Sequence, residues 1–282
     1  MSARIVIEGT SRCRAVVRLF RMSDSMTVLV TGASGTLGMA VVPALTAAGH
    51  RVRPMSRQAR PGWITADLAS GDGLGDAVRG ADAIVHLASA PGRRQRETDV
   101  EGTRRLLAAA ARAGVRHALY VSIVGIDRVP LGYYRTKLAT EAVVRDSGVP
   151  FTILRATQFP SLVDTLFTTS SRLGPLIVDP GFRVRPVHVR DVAERIVGLL
   201  GEPATGQAAE LAGPQALTLG EMARSWLAAR GSRRPVWPVR LPGGLARAVR
   251  EGGLVGTTGS TGTRTWDDYL VERYGNTGCE PV

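Results

Sequence analysis

Tyr133 and Lys137 stand four positions apart in the run Tyr133-Tyr134-Arg135-Thr136-Lys137, and Ser122 lies eleven positions before the first tyrosine. Four positions is one turn of a helix, so on a helix the phenol and the ammonium share a face. A phenol in that setting can pass a proton to or from a substrate oxygen, provided it reaches that oxygen. The ammonium would stabilise the phenolate, as a nearby opposite charge does. A serine hydroxyl can hydrogen-bond the same substrate oxygen. Lys137 is also the only lysine among 36 basic residues; the rest are arginines. Lysine is a compact, rotatable point charge, whereas arginine is a planar fork that keeps its proton. Arginine-rich coding can leave one lysine anywhere, so the reading depends on the elements that surround these residues.

Those elements alternate. Thr27 to Thr31 is a short β-branched run ending in glycine, which reads as a buried strand. A helix follows from Thr36 to Ala48, closed by Gly49. Strands are expected at 51–55, 63–66, 82–87, 117–122 and 151–155, and helices at 73–79, 97–113 and 133–147. Strands alternating with helices imply right-handed crossovers and an α/β fold, a Rossmann-like doubly wound parallel sheet. After about residue 157 the rhythm loosens. Helices are expected at 160–172, 190–200 and 219–229, a turn at Asp179-Pro180-Gly181 and a strand at 209–212. The division that follows is an N-terminal extension over 1–25, a dinucleotide-binding domain over 26–157, and a small cap with a C-terminal segment over 158–282, interleaved with that domain. The extension is Arg-rich and acid-poor and precedes Met26. It is expected to be disordered and dispensable, with targeting the lesser reading.

The first strand runs into Thr31-Gly32-Ala33-Ser34-Gly35-Thr36-Leu37-Gly38 and then a helix. Gly32 would allow the tight turn, Gly35 the approach of a pyrophosphate, and Gly38 close helix–strand packing. Backbone N–H groups of Ser34, Thr36 and Leu37 at the helix start would hold the phosphates. A glycine pattern alone is weak, but here a strand precedes it and a helix follows. At the end of the second strand an acid would bind the ribose of NAD, and an arginine the 2′-phosphate of NADP. The chain has Arg53-Pro54-Met55-Ser56-Arg57 there, so Ser56 and Arg57 point to NADP, with NAD less favoured. Asp67 and Leu68 would face the adenine, and Ala88 and Ser89 leave the fourth strand at the edge where cofactor lies. Lys137 would hold the nicotinamide ribose. Gln158 and Phe159, leaving the sixth strand, are the substrate-pocket candidates; His188 is a third, though a histidine there is more often a helix junction.

With these residues in hand the chain resembles the short-chain dehydrogenase/reductase superfamily and, within it, the atypical NmrA-like NAD(P)-binding branch. The resemblance rests on TGASGTLG, Ser56-Arg57, Val121 to Gly125, Tyr133 to Glu141, Gly148 to Ala156, and Val187 to Ala193. It covers roughly residues 26 to 230, and Gly262 to Trp266 is similar to the ending of some members. The resemblance implies an NADP-dependent oxidoreductase that reduces a carbonyl or quinone-like acceptor. Tyr133 would be the acid, Lys137 the ribose clamp and phenol activator, and Ser122 the orienter of the oxygen. The branch also implies a second reading, a catalytically silent NAD(P)-binding redox sensor that regulates a partner. A sugar-nucleotide epimerase or dehydratase is a third, ranked lower because the C-terminal part is short. The chain departs from the pattern in two places. The spacing from Ser122 to Tyr133 is short, and Tyr134 competes with Tyr133 for the inward position.

Composition narrows the classes. The net charge of +12 invites a nucleic-acid reading, but the arginines are scattered and aromatics total only 5%, too few for a base-stacking platform. No apolar run approaches the roughly 20 residues of a membrane helix. Cys13 and Cys279 form no CxxC or metal-like spacing, so no metal site and no structural disulfide are expected, in a cytoplasmic setting. A small-molecule substrate is the expected partner; a homodimer or regulatory partner stays open.

Overall fold

The computed structural model describes residues 25–90, 95–172, 174–256 and 259–275. The N-terminal extension (apart from Ser25), Cys13 and Cys279 lie outside the described residues. The elements run β1 (Thr27–Thr31), α1 (Gly38–Ala47), β2 (Arg51–Ser56), β3 (Ile64–Thr65), α2 (Leu74–Val78) and β4 (Ala83–His86). A π-helix (Glu97–Glu101) leads into α3 (Gly102–Arg112), then β5 (His117–Ile123), α4 (Gly132–Arg145), β6 (Phe151–Ala156) and α5 (Pro160–Ser171). The remainder is β7 (Leu176–Val178), β8 (Arg183–Val184), α6 (Val189–Leu200), β9 (Gly206–Gln207), β10 (Glu210–Ala212), β11 (Leu217–Thr218), α7 (Leu219–Ala229), β12 (Val236–Pro238), α8 (Gly244–Arg250), β13 (Gly259–Thr261) and α9 (Trp266–Tyr274).

The main sheet has the order β13-β10-β6-β5-β4-β1-β2-β3, with β9 also on β6, and its pairings are parallel. The six first strands thus take the 3-2-1-4-5-6 order of a doubly wound dinucleotide fold, whose ligands lie outside the carboxyl ends of the strands. Both faces are covered, which is why the strands read as continuous apolar runs. In β1, Val28 and Val30 pack with Val41, Leu45 and Ile196 of α1 and α6. Leu29 points the other way and packs with Ala77 and Leu106 of α2 and α3. Each is fully buried, and truncating one such leucine to alanine costs about 2–5 kcal/mol.

The chain after 157 does two jobs. It adds α6, β9, β10 and β13 to the main layers, and it builds a second core from α5, α7 and α9. Trp226 and Trp266 are buried there with Phe167 and Met222. Asp164 of α5 is the polar centre of that core: it accepts from Trp226 Nε1 (2.7 Å), Tyr269 Oη (3.0 Å) and Tyr274 Oη (2.5 Å). The turn after β13 is fixed to α6, because Asp191 accepts from the amides of Thr263 (3.0 Å) and Arg264 (3.1 Å) and from the Arg264 guanidinium. Thr265 then opens α9 with a capping box to Asp268. That is the physical content of the Gly262 to Trp266 ending.

Candidate active site

The phosphate loop is a tight turn of backbone. Gly32 has φ +66°, and a Cβ there would lie 2.7 Å from the Ala88 nitrogen. A Cβ on Gly38 would fall on the Gly32 carbonyl and lie 2.6 Å from Ala33 Cα. The turn therefore presses against both its own helix and the loop after β4. Ser34, Gly35 and Thr36 are exposed on the outer side, while Leu37 and Gly38 are buried. No side chain caps α1 at Leu37. This is a cradle of free N–H groups at a helix start, which suits a diphosphate.

At the end of β2 the two arginines separate. Arg53 donates to the carbonyls of Arg79 (2.5 Å) and Asp76 (3.0 Å) and so holds α2. Arg57 is exposed and makes no hydrogen bond or ion pair among the described residues. Ser56 Oγ accepts from the Gln58 amide at 3.1 Å. Asp67 turns inward on its own loop, accepting from the Ala69 amide at 2.8 Å. The Leu68 side chain is core, packed under Gly102, and its carbonyl accepts from the Arg105 guanidinium at 3.3 Å.

Behind the loop lies a buried polar chain that the sequence did not reveal. Thr103 Oγ1 donates to the Asp99 carbonyl at 2.5 Å. It therefore accepts from His86 Nε2 (2.8 Å), and His86 Nδ1 accepts from Thr31 Oγ1 (2.7 Å). Thr31 Oγ1 in turn accepts the amides of Leu87 and Ala88, both at 3.2 Å. This assigns the neutral Nε2–H tautomer. It agrees with the imidazole's setting, since burial and then the Lys137 charge push it down to about 3.

Helix α4 carries Tyr133 and Lys137, and it is fixed by Glu141. That carboxylate is fully buried and takes a fork from Arg155 of β6, Nε and Nη2 both at 2.9 Å. Burial opposes its ionisation, but the Arg155 hydrogen bonds win and hold it below the usual carboxylate range. Lys137 is 5% exposed. Its Nζ donates to Tyr120 Oη of β5 at 3.1 Å and lies 6.0 Å from the Tyr133 ring centre. Burial, then the nearby Asp99 charge, push the Tyr120 phenol up. With one of three ammonium hydrogens bound among the described residues, two remain for a ribose.

Tyr133 is 38% exposed and its Oη meets Ser89 Oγ at 3.4 Å. Tyr134 is buried with Ile126, Val129 and Val249 under the cap, and burial raises its phenol. Tyr133 is thus the one on the lysine's side. Ser122 is 2% exposed; its Oγ faces the Glu141 carboxylate without completing a bond of normal geometry, and among the described residues it has no other partner, Tyr133 included. Gln158, 9% exposed, has neither Oε1 nor Nε2 paired. The Tyr134 hydroxyl faces it without completing a bond of normal geometry. Buried polar atoms are almost always paired, so three orphans at the carboxyl ends of β5 and β6 need a partner.

Two other substrate candidates stand elsewhere. Phe159 packs on the α1–α6 core. His188 caps α6, its Nδ1 accepting from the Arg190 amide at 3.3 Å, with Nε2 3.5 Å from Glu272. It lines a groove of about 620 Å³ with Thr36, Met39 and Pro160, which Tyr133, Lys137 and Gln158 do not line. Among the described residues no group of His, Cys, Asp and Glu could hold a metal ion, and no helix is long and apolar enough to cross a membrane.

Residues 32–203 match the NAD(P)H-binding family. The chain belongs to that family. It is an NAD(P)-dependent oxidoreductase in class. It is 34% identical over 210 residues to the (4-alkanoyl-5-oxo-2,5-dihydrofuran-3-yl)methyl phosphate reductase of Streptomyces griseus, covering 69% of this chain and 70% of that one. It is 29% identical to the ceramide reductase of Caulobacter vibrioides, over 64% of this chain and 62% of that one. In fold it is similar to the NADPH-dependent quinone oxidoreductase of Escherichia coli in complex with NADPH, with TM-score 0.69, 22% identity, and 88% and 99% of the two chains covered. The triphenylmethane reductase of Citrobacter sp. with NADP(H) gives TM-score 0.68 at 20% identity, covering 88% and 99%.

Proposed function

We propose that this oxidoreductase uses NADPH to reduce a carbonyl or quinone-like acceptor held at the carboxyl ends of β5 and β6. The observation that carries the reading is the set of buried, unpartnered atoms there, Ser122 Oγ and the Gln158 amide. Ser122 lies near the carboxyl end of β5 and Gln158 just after β6, and helix α4 brings a phenol and a buried ammonium to the same side of the fold. An oxygen-bearing substrate would satisfy them, and an apolar one would leave them orphaned at about 1–3 kcal/mol each.

The residues present fit the cofactor. The Gly32 to Gly38 turn would hold the diphosphate, Ser56 and the free Arg57 the 2′-phosphate, and Lys137 the ribose hydroxyls. Asp67 and the Leu68 backbone would border the adenine, and Ala88 and Ser89 would border the ribose side of the loop. Bound NADPH supplies the hydride. Tyr133 gives its phenolic proton to the substrate oxygen, and Lys137 stabilises the phenolate left behind. Ser122 donates to the same oxygen, and Gln158 orients the substrate through one donor and one acceptor. Phe159 and His188 stand outside this arrangement. The reductase names of the relatives and the NADPH-dependent fold neighbours support the choice of cofactor and reaction.

The test is to titrate the protein with NADPH and NADH and then offer quinones and aldehydes. Tighter NADPH binding and acceptor-dependent oxidation are expected. Tight binding without oxidation across the panel would contradict the reductase and favour a cofactor sensor.

A further inference from the structure

The hydroxyl that meets the Tyr133 phenol belongs to Ser89, in the loop after β4, and not to Ser122. Its own proton is committed, because Ser89 Oγ donates to Asp99 Oδ2 at 2.6 Å. The Ala90 amide donates to the other carboxylate oxygen at 2.9 Å. Ser89 Oγ therefore receives Tyr133 Oη–H as an acceptor. The contact is long at 3.4 Å, as such bonds often are before substrate tightens them.

Asp99 is 1% exposed and sits in the middle of the π-helix. Its carbonyl accepts from Thr103 Oγ1 (2.5 Å). The residue is thus tied at both its backbone and its side chain. The wider turn of a π-helix, a feature frequent at functional sites, is what lets it face the loop. Tyr133 itself is more than one-third exposed, its ring lying against Tyr134 and near Lys137. Among the described residues its hydroxyl is held by the Ser89 contact.

We infer that Ser89, anchored by the Asp99 carboxylate, aims the Tyr133 phenol at the substrate oxygen. This rests on the proposed role of Tyr133 as proton donor. No covalent step is required of Ser89. Its hydroxyl accepts from the neutral phenol until substrate binds; the phenol then turns its single proton from Ser89 to the substrate oxygen, and the Ser89 hydroxyl, rotating from Asp99, donates to the phenolate once that proton has left. Asp99 is a positioning residue, acting through Ser89. Among known features of the site, neither Ser122 nor Lys137 does this, since neither hydrogen-bonds Tyr133.

The experiment uses Ser89→Ala, Ser89→Thr and Asp99→Asn with two readouts. One is the ¹³Cζ resonance of Tyr133 in the cofactor-free protein, assigned by its absence in Tyr133→Phe. The other is kcat against KM for NADPH oxidation. Ser89→Ala should move the resonance and lower kcat by about tenfold to a hundredfold, with the smaller effect on KM. Ser89→Thr, which keeps the hydroxyl, should restore both, and Asp99→Asn should shift both in the same direction. A Tyr133 resonance unmoved in Ser89→Ala, or one that moves while kcat holds, overturns the inference. Wild-type protein that oxidises no NADPH instead sinks the proton-donor reading, and the resonance still decides whether Ser89 holds the phenol.

Discussion

Lys137 Nζ donates to the Tyr120 hydroxyl at 3.1 Å, although the phenol it shares a helix face with is Tyr133. The lysine is therefore set from the sheet and not from its own helix. Tyr120 fixes one ammonium hydrogen, Glu141 and Arg155 fix the helix, and the remaining charge lies under the site. A compact ammonium fits this buried place; a forked guanidinium does not.

Lys137→Arg should accordingly fail almost as badly as Lys137→Ala, each lowering kcat/KM by about 10²–10⁴. Tyr120→Phe should lie between these variants and wild type. Steady-state kinetics on folded protein checks the order. Wild-type activity in Lys137→Arg would mean that charge alone suffices.

Gly38→Ala should weaken cofactor binding. The added methyl would fall on the Gly32 carbonyl and Ala33, so the turn must open. At least a tenfold rise in Kd for NADPH is expected by nicotinamide fluorescence. An unchanged Kd would show that the turn does not carry the phosphates.

Arg57→Ala should cost NADPH affinity about tenfold or more and leave NADH nearly unchanged, since a free guanidinium on a 2′-phosphate is a charge-assisted bond. Equal loss for both nucleotides would contradict the assignment. Arg53→Ala should instead destabilise the fold, because Arg53 holds α2.

Much of this was legible in the sequence, for identifiable reasons. The alternation from β1 to β6 is written in apolar runs closed by glycines, and it implies the doubly wound parallel sheet. The glycine turn, the Tyr133–Lys137 face and the separation of Arg57 as a cofactor candidate were visible in residue types and spacing. Strands such as β7, β8 and β12 were not, because two or three residues carry no period. Helix α8 hid in a Pro/Arg-rich stretch. The π-helix read as plain helix, since one inserted residue leaves an alanine-rich pattern intact. Asp99 and His86 were missed for a different reason. Each gains its meaning from side chains on other elements, Asp99 from Ser89 and His86 from Thr31 and Thr103.

His86 gives a pH dependence. Its folded-state value is about 3 against 6.5 for the free group. Below pH 6.5 the unfolded chain binds a proton that the folded chain refuses. Stability from this site is then complete above pH 6.5 and falls as pH drops from 6.5 toward 3, by at most about 1.4 kcal/mol per unit. Urea unfolding of wild type and His86→Gln across that window isolates the site. The stability difference between the two should change with pH in favour of the variant as acid is added; a constant difference would contradict a buried neutral imidazole.

The central claim is that Tyr133 donates the proton in an NADPH-dependent reduction. The direct measurement is acceptor-dependent NADPH oxidation by wild type and Tyr133→Phe, with NADPH affinity determined for both. The account predicts that the variant binds NADPH as wild type does and loses about 10²-fold or more in kcat. Turnover that survives the loss of the hydroxyl would contradict it.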